Sequence, residues 1–505
     1  GSAGMSETGE PTTGPDEPPP PIEGYADLHL HMMAEAAFGG GWFHGNAMGA
    51  EDIALAMCDG GFPGDHARAR SDLTEQFTLC NDQSLPIDLA TLAGQIPVLN
   101  ALLFLGGIPA SELLGKIEGT DGDTGLQQNR KNGLPDFSGW PRWDTIAHQQ
   151  SWEGWLKQAH GDGLRVVVMS AVSFDWLCTA LPPGNLDRPQ CDEMDDVRVQ
   201  LEMANELDAA NDWLEIALSA GHARKIASEG KLAMILSIEA SSIFGDGDWL
   251  AQLDEVYALG VRTLQIVHQF DNRFGGAAPH NTIFHVAQFT RNCHVDSDCG
   301  LTTPALTLGF DVDAECKNVQ GLTDEGAALV DEMMDRGMLI DAAHTSERTF
   351  SDIYALAEAN TYYPLYMSHG HFREIMTPPK QREEKTTPVW IVEALRKTGG
   401  VFGLRTAHEE VNAYPASSVA NDCHGSTRSL AQAYAFGQLG LKVDIALGSD
   451  FNGFIQQTRP RFGDNAACSA SFADEATCQK ALQELHGPPP LGSALDTQGF
   501  AHIGL

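Results

Sequence analysis

Residues 321–347, GLTDEGAALVDEMMDRGMLIDAAHTSE, contain the pattern that decides the fold: a helix, a short turn and a buried strand with a polar residue at its end. The helix is predicted to begin after Thr323 as N-cap, with Glu325 in its first turn, and its apolar residues recur at helical spacing until Gly337. The next run, GMLIDAAH, is apolar without alternation, which is typical of a strand buried on both faces. The segment therefore predicts one helix and strand unit of a parallel sheet.

The same pattern recurs along the whole chain. Eight short apolar runs, rich in β-branched residues, begin at Tyr25, Leu164, Lys231, Val261, Gly337, Tyr362, Gly399 and Val443. Helical patterns separate most of them, as in residues 345–359, 387–399 and 429–440. Eight strands that alternate with helices predict the α/β class, a (β/α)8 TIM barrel in which functional groups lie at the carboxyl ends of the strands.

Two connections are longer than the ordinary links of such a barrel. Residues from about 32 to 163 separate the first two strands, and residues 271–320 follow the fourth. We predict that both are long insertions, after strands 1 and 4, which fold over the barrel mouth and shape the substrate site. Residues 1–24 are rich in Gly, Pro, Ser, Thr and acidic residues, which predicts a disordered N-terminal tether before a single barrel domain over 25–505.

The charge of the chain argues against one large class of partner. Its 505 residues include 31 Lys and Arg against 69 Asp and Glu, a formal net charge of -38 that repels phosphate backbones and anionic lipid surfaces. Nucleic acid is therefore not expected to bind. No apolar run approaches the roughly 20 residues that span a bilayer, so we predict a soluble protein without a transmembrane segment. The tether could follow a removed secretion signal or a lipidated cysteine, or GSAG could be an expression scar.

The ten cysteines bear on the compartment. Eight of them are close neighbours in irregular segments: Cys58 and Cys80, Cys178 and Cys191, Cys293 and Cys299, Cys468 and Cys478. This spacing predicts disulfides that staple loops in an oxidising compartment, with free thiols and chance clustering as the alternative. A structural zinc knuckle is disfavoured because the chain has no paired CxxC motif. We expect an extracytoplasmic protein that is secreted, periplasmic or lipid-anchored at a bacterial surface.

Polar residues stand where the predicted strands end. In the first strand one residue separates His29 from His31, so both imidazoles lie on the same face. The other strand ends carry Glu239, His268, His344, His369 and Asp450. Each residue alone has an ordinary explanation, such as a hydrogen-bonded histidine or a helix cap. Five imidazoles and two carboxylates at one barrel mouth, however, need compensation for the cost of their burial.

Divalent metal ions supply that compensation. Imidazole together with carboxylate favours Zn²⁺, with Mn²⁺, Fe²⁺ or Co²⁺ as alternatives, and this number of ligands implies two ions bridged by one carboxylate. Such a pair lowers the pKa of a shared water molecule and polarises a substrate carbonyl. The predicted chemistry is hydrolysis of a small-molecule substrate.

From Tyr25 to the C-terminus the sequence resembles the membrane dipeptidases, the renal dipeptidase type of peptidase family M19 in the amidohydrolase superfamily. The resemblance rests on residues 321–347, YMSHGHFRE (366–374), ALGSDFNGF (446–454) and DLHLH (27–31), which occupies the place of the family's D-x-H-x-D. It implies the same barrel, a hydrolase with two divalent metal ions, and allows a homodimer, since the family often forms dimers.

The resemblance also implies a role for each metal-site residue. His29 and His31 would hold one metal ion, Glu239 would bridge, and His344 and His369 would hold the other. The family has Asp where this chain has His31, which makes the first metal site more positive. The choice of metal therefore stays open between zinc and its neighbours.

Five further residues would act on the substrate if the resemblance holds. His268, in the block IVHQFDN, would lie over the substrate carbonyl and stabilise the oxyanion. Asp450 would act as general base and then as general acid. Arg382 stands near the family's arginine for the substrate carboxylate, with Arg373 as its competitor, and Asn272 is a further substrate-binding candidate.

Three functions follow from these expectations. The first is a binuclear metal-dependent hydrolase, a dipeptidase in which a metal-bridging hydroxide attacks the amide bond. The alternative is an amidase, a lactonase or another ester hydrolase, with the insertions admitting a bulkier molecule. The third is a non-catalytic surface binding protein that keeps the barrel as a scaffold, which is disfavoured because every expected ligand position carries a competent donor.

Overall fold

The computed structural model describes residues 22–40, 43–56, 143, 148–180, 191–280, 282–292, 294–296, 307–378, 380–421, 423–461 and 494–505. Most of the predicted tether, and residues 57–142 of the first predicted insertion, therefore lie outside the described residues. The cysteines at positions 58, 80, 293, 299, 468 and 478 lie outside them as well.

A closed barrel of parallel strands forms the centre of the molecule. The described strands are β1 (Tyr25–Leu30), β2 (Leu164–Ser173), β3 (Leu214–Ile216), β4 (Leu232–Ala240), β5 (Val261–Gln265), β6 (Val295–Asp296), β7 (Thr307–Leu308), β8 (Leu339–Asp341), β9 (Leu365–Gly370), β10 (Val401–Arg405) and β11 (Asp444–Gly448). Around the barrel the order is β1, β2, β4, β5, β8, β9, β10 and β11, and β11 pairs with β1 to close the ring. Each of the eight predicted runs contains one barrel strand, so the predicted (β/α)8 barrel is confirmed.

Helices follow the strands on the outside of the barrel. Those of the described residues are Glu51–Ala54, Glu153–Gly161, Asp175–Ala180, Glu193–Ala210, Ala220–Ser228, Trp249–Ala258, Thr282–Asn292, Asp324–Asp335, Glu347–Ala359, Val389–Lys397, Thr427–Ala435 and Ala494–Gln498. Short 3₁₀ turns occur at Ala34–Ala36, Arg373–Ile375 and Lys380–Arg382, and a π-helical turn at Phe436–Leu441. The three helical patterns cited from the sequence all correspond to helices.

The helix Asp324–Asp335 shows how local sequence produces this layer. Oγ1 of Thr323 accepts a hydrogen bond from the backbone N–H of Gly326 at 3.0 Å, which is the predicted N-cap. Leu329, Val330 and Met333 are fully buried in the main apolar core. Each such side chain contributes about 1.5–3 kcal/mol on burial, so packing on the barrel, more than helix propensity, stabilises this segment.

The second predicted insertion, residues 271–320, is anchored to the barrel. It contains the helix Thr282–Asn292 and the antiparallel pair of β6 and β7. The side-chain amide of Asn318 donates to Oδ1 of Asp271 at 2.6 Å and to the carbonyl of Ala277 at 2.8 Å. These contacts join the two ends of the insertion close to the strand β5 from which it departs.

One of the predicted cysteine pairs is a disulfide. Cys178 and Cys191 are joined across a separation of 13 residues. Cys316 is also disulfide-bonded, and Cys423 is a buried free thiol. Loop-stapling disulfides are thus confirmed at one of the predicted pairs. Among the described residues, no helix combines the length and the apolar character needed to cross a bilayer.

Candidate metal centre

The end of β1 carries the two imidazoles that the sequence places on one face. His29 is fully buried and His31 is 1% exposed. Their Nε2 atoms lie 3.1 Å and 2.9 Å from one oxygen, Oε2 of Glu239, near the end of β4. Because β2 lies between β1 and β4 in the ring, these three groups meet across the barrel mouth.

Glu239 divides the cluster into two halves. Its other oxygen, Oε1, lies 3.3 Å from Nε2 of His344 and 3.5 Å from Nε2 of His268. The Nε2 atoms of His344 and His369 are 2.9 Å apart, so the Nε2 atoms of both rings are directed at one point of the cluster. His369 also stacks on His29, with ring centroids 4.1 Å apart. The predicted strand-end residues thus surround a single carboxylate.

Hydrogen bonds behind the rings select the nitrogen that faces the centre. Nδ1 of His31 lies 2.9 Å from the carbonyl oxygen of Ser170, which requires a proton on Nδ1 and turns Nε2 toward Glu239. Nδ1 of His369 lies 3.0 Å from Oγ of Ser368. In both rings Nε2 is the nitrogen directed at the centre, as a metal ligand would be.

Asp450 joins the cluster on the side of His31. Its Oδ1 lies 3.2 Å from Nε2 of His31, and its Oδ2 lies 3.1 Å from Nη2 of Arg405, the last residue of β10. The φ of Asp450 is 54°, in the left-handed region that non-glycine residues rarely adopt. Its backbone N–H donates to the carbonyl oxygen of His29 at 2.9 Å, which ties this strained turn to β1.

The charges of the cluster are those of a cation-binding site. Burial opposes protonation of His31, but the carboxylates of Glu239 and Asp450 outweigh it and raise the pKa of His31 to about 10. Burial would raise the pKa of Glu239, yet the surrounding histidines hold it well below its usual range. Burial lowers the pKa of His268 to about 4, and it also lowers the pKa of His344. The anionic Glu239 and the neutral imidazoles of His268 and His344 are in the protonation states of metal ligands. His31 carries a proton that a bound cation would displace.

The donor atoms fit divalent metal ions. Ligand atoms of His29, His31 and Glu239 lie within 4.8 Å of one another, and so do those of Glu239, His268 and His344. Nδ1 of His29 and Nδ1 of His344 are buried without a hydrogen-bond partner in the described part of the chain. Imidazole and carboxylate are ligands that zinc takes, and the two groups share Glu239. The residues present could therefore hold two ions with one bridging carboxylate.

The two arginines predicted to bind a substrate carboxylate lie in the 3₁₀ turns that follow β9. Arg373 donates from Nη1 to Glu347 at 2.6 Å, from Nε to Oγ1 of Thr386 at 3.1 Å, and from Nη2 to the carbonyl oxygens of Glu384 and Thr386 at 2.9 Å and 2.6 Å. Its guanidinium group is thus occupied by the protein. Arg382 is exposed, in the 3₁₀ turn Lys380–Arg382. Their substrate-binding roles stay predictions.

Asn272 shapes the loop after β5. Its side-chain amide donates to the carbonyl oxygens of Ser241 and Ile266 at 3.2 Å and 3.0 Å. Its Oδ1 accepts the backbone N–H groups of Phe274 and Gly275. These four bonds fix the turn that follows His268, and a direct contact with substrate stays a prediction.

Three polar residues at the centre were missed in the sequence. Arg405 closes the predicted run GGVFGLR, so the strand-end rule could have found it. His280 is 8% exposed, and its ring centroid lies 5.9 Å from that of His344. Burial lowers the pKa of His344, and the charge of Lys385 lowers it further. The last two lie in loops, where no periodic pattern marks them.

We expect Gly453→Ala to lower turnover while leaving the metal content unchanged. A Cβ atom at Gly453 would overlap Oδ1 of Asp450, so the carboxylate must leave its present position. Assays of kcat and of bound metal check this. Gly161→Ala is the matched control, since a Cβ there meets no atom within 4 Å. Equal turnover in both variants would contradict the requirement for Asp450 in its present position.

The chain matches the family profile described as membrane dipeptidase (peptidase family M19) over residues 158–294 and 305–464, more than half of its length. Dipeptidase verJ of Clonostachys rogersoniana is 21% identical over 192 residues, which are 38% of each chain. An uncharacterized protein in the pqqA 5' region of Klebsiella pneumoniae is 26% identical over 242 residues, 48% of this chain and 72% of that one. The match thus spans well under half the length of Dipeptidase verJ.

Solved structures with similar folds were found as well. A metallopeptidase from Rhodobacter sphaeroides, liganded with a phosphinate mimic of the dipeptide L-Ala-D-Ala, is 19% identical with a TM-score of 0.40, covering 73% of this chain and 90% of that one. The probable dipeptidase PvdM from Pseudomonas aeruginosa is 16% identical with a TM-score of 0.42, covering 69% and 86%.

Proposed function

Because the chain belongs to the membrane dipeptidase family (peptidase family M19), a family of metal-dependent hydrolases, we propose that it hydrolyses the amide bond of dipeptides. The observation that carries this proposal is the position of Glu239 between two groups of imidazoles, one facing each carboxylate oxygen. A single carboxylate in this position suits two divalent ions. Bound ions would supply Lewis acidity to the scissile carbonyl and lower the pKa of a water molecule.

The proposed metal ligands are those with Nε2 directed at the centre. His29 and His31 would hold one ion, His344 and His369 would hold the other, and Glu239 would contribute one oxygen to each. We propose zinc for both ions, because imidazole outnumbers carboxylate among the ligands. The disulfide between positions 178 and 191 supports an oxidising compartment outside the cytoplasm.

Asp450 is the proposed proton carrier. Burial disfavours its ionised form, but the hydrogen bond from His31 and the charge of Arg405 lower its pKa, so it is a carboxylate at neutral pH. Oδ1 accepts the proton of the attacking water. The same oxygen then delivers this proton to the nitrogen of the leaving amine, which completes the cycle.

His268 is the proposed donor to the oxyanion. Its low pKa keeps the imidazole neutral, and Nδ1 lies 3.4 Å from Oγ of Ser241. A hydrogen bond from that hydroxyl to Nδ1 selects the tautomer with a proton on Nε2. The Nε2–H group can then donate to the carbonyl oxygen as negative charge develops there.

The test is release of free amino acids from a panel of L,L and L,D dipeptides. Zinc-loaded protein is compared with the same preparation after chelation and after zinc is restored. Cleavage that chelation abolishes and zinc restores is the expected result. No cleavage of any dipeptide by protein that holds two zinc ions would contradict the proposal.

One observation favours the second candidate, an amidase or lactonase. Arg373 donates to Glu347 and to the carbonyl oxygen of Thr386, so the guanidinium group of this predicted carboxylate-binding residue is already occupied by the protein. Dipeptide amides, N-acyl amides and lactones therefore belong in the same panel. Faster hydrolysis of these uncharged molecules than of dipeptides would favour the second candidate.

A further inference from the structure

Five aromatic side chains form a closed circuit beside the centre, which we call the aromatic circuit. In order around it they are His268, Phe174, Phe284, His280 and His344, and His344 lies next to His268 again. The centroids of successive rings are 6.3, 5.9, 4.9, 5.9 and 4.7 Å apart. Among the ring contacts of the described residues, none joins two members across the circuit, so these rings do not fill its middle.

The aromatic circuit keeps an apolar surface open to solvent. Phe174, directly after β2, is 5% exposed and His268 is 7% exposed, whereas Phe270, which packs on Phe174 at 4.8 Å, is fully buried. Phe284 is half-buried, so part of its ring faces water. An apolar ring in this position next to a reaction centre is stabilised when an apolar group of a ligand covers it.

The helix that carries Phe284 is fixed on the barrel. This helix, Thr282–Asn292, belongs to the second predicted insertion. Oγ1 of Thr290 accepts a hydrogen bond from Nε1 of Trp176 at 3.0 Å, and Nη2 of Arg291 forms an ion pair with Oδ1 of Asp175. Both contacts tie the helix to the segment after β2. The aromatic circuit is therefore formed before a ligand arrives, which lowers the entropic cost of binding.

The proposed roles of the polar residues give the scissile bond a direction. Asp450, the proposed proton carrier, lies beside His31, so the leaving nitrogen would face this side of Glu239. His268 and His344 lie near the other oxygen of Glu239, at 3.5 Å and 3.3 Å. The acyl Cα is bonded to the carbonyl carbon on the side away from the leaving nitrogen. The acyl side chain would therefore lie toward the aromatic circuit.

We propose that the aromatic circuit binds the side chain of the acyl residue and selects substrates in which this side chain is aromatic. This inference rests on the proposed hydrolysis of amide bonds and names the substrate class, amides of aromatic amino acids. Aromatic rings pack well edge-to-face or offset against other rings, and the circuit presents several of them. A methyl side chain buries much less apolar area against Phe284 and is bound less tightly.

The test compares three dipeptides as substrates of zinc-loaded protein: L-Phe-Gly, L-Ala-Gly and Gly-L-Phe. In the unaltered protein, kcat/KM for L-Phe-Gly exceeds that for L-Ala-Gly about 10- to 200-fold, the range over which a hydrophobic pocket discriminates. Phe284→Ala removes most of this preference. It leaves kcat/KM for L-Ala-Gly and the zinc content within about twofold, because no proposed metal ligand or proton carrier changes. Gly-L-Phe carries its ring on the amine side and is unaffected by Phe284→Ala.

Phe436→Ala is the matched control, since Phe436 is also half-buried but lies in the π-helical turn before β11, at the amino ends of the barrel strands. It should keep the full preference for L-Phe-Gly. Equal kcat/KM for L-Phe-Gly and L-Ala-Gly in the unaltered protein, or an undiminished preference in Phe284→Ala, would overturn the inference while amide hydrolysis stands. A loss in Phe284→Ala that is confined to Gly-L-Phe would overturn it as well.

Calorimetric titration separates this inference from the proposed function. If protein that holds two zinc ions cleaves none of the three dipeptides, the proposed function fails. Tighter binding of L-Phe-Gly than of L-Ala-Gly to that protein, lost in Phe284→Ala, would still support the aromatic circuit as a side-chain site. Equal or undetectable binding of the two dipeptides would overturn it.

Discussion

Replacement of Glu239 by Gln is expected to lower the zinc content of the protein and to reduce dipeptide hydrolysis by about a thousandfold or more. The variant keeps the size of the side chain but removes the negative charge between the two imidazole groups. Each carboxylate oxygen faces a different group, Oε2 toward His31 at 2.9 Å and Oε1 toward His344 at 3.3 Å. A single substitution therefore weakens both proposed metal sites.

The loss of charge also acts on the protein without metal. Attraction to Glu239 is the largest cause that raises the pKa of His31. With Gln at this position, the buried imidazolium at His31 loses one of its two carboxylate partners, and Asp450 is the one that remains. We expect the variant to fold, because the barrel core around it is apolar and unchanged.

Metal analysis after equilibrium dialysis against zinc, together with initial rates at saturating substrate, checks the result. Glu202→Gln is the matched control, because Glu202 is exposed on the helix Glu193–Ala210. This substitution removes an equal charge on the outside of the barrel. Two zinc ions per chain and full activity in Glu239→Gln would show that the carboxylate does not bridge the sites.

Asp450→Asn is the second change with a large expected effect. We expect kcat to fall about 100- to 10,000-fold, the range that general acid and base catalysis contributes, while zinc content persists. Asn has nearly the same shape, but its amide cannot accept a proton from water and return it to the amine. The proposed metal ligands keep their places, so the variant separates chemistry from metal binding.

The control for this variant lies on β11, the strand that leads to Asp450. Asp444 begins β11 at the opposite end of the barrel and is exposed, so Asp444→Asn removes one carboxylate without touching the centre. Its kcat should equal that of the unaltered protein. If Asp450→Asn instead loses zinc in proportion to activity, Asp450 acts as a ligand and the proton carrier must be sought elsewhere.

The sequence was sufficient to predict the fold because its signals are local. A capped helix such as Asp324–Asp335 and the buried run of β8 after it each depend on neighbouring residues, and eight repeats of that unit leave few arrangements other than a closed parallel barrel. The strands β3, β6 and β7 were not predicted. They are two or three residues long, and their pairing depends on distant segments.

Much of the candidate site followed from the same rule. Strand ends of a parallel barrel lie at one face, so a polar residue at each end predicts a shared cluster, and the structure brings His29, Glu239 and His344 together as expected. Arg405 obeys this rule as well, since it is the last residue of β10.

The sequence by itself determined the barrel and the identity of the residues at its mouth, because both depend on where each short strand stops. Only the tertiary structure decided which basic side chains of the segment after β9 are already paired. Arg373 and Lys385 both lie in the segment that follows β9. Glu347, from the neighbouring helix, accepts a hydrogen bond from Nη1 of Arg373. The lysine is left without a partner in the described chain. That outcome depends on the packing of segments distant in sequence, and no local pattern records it.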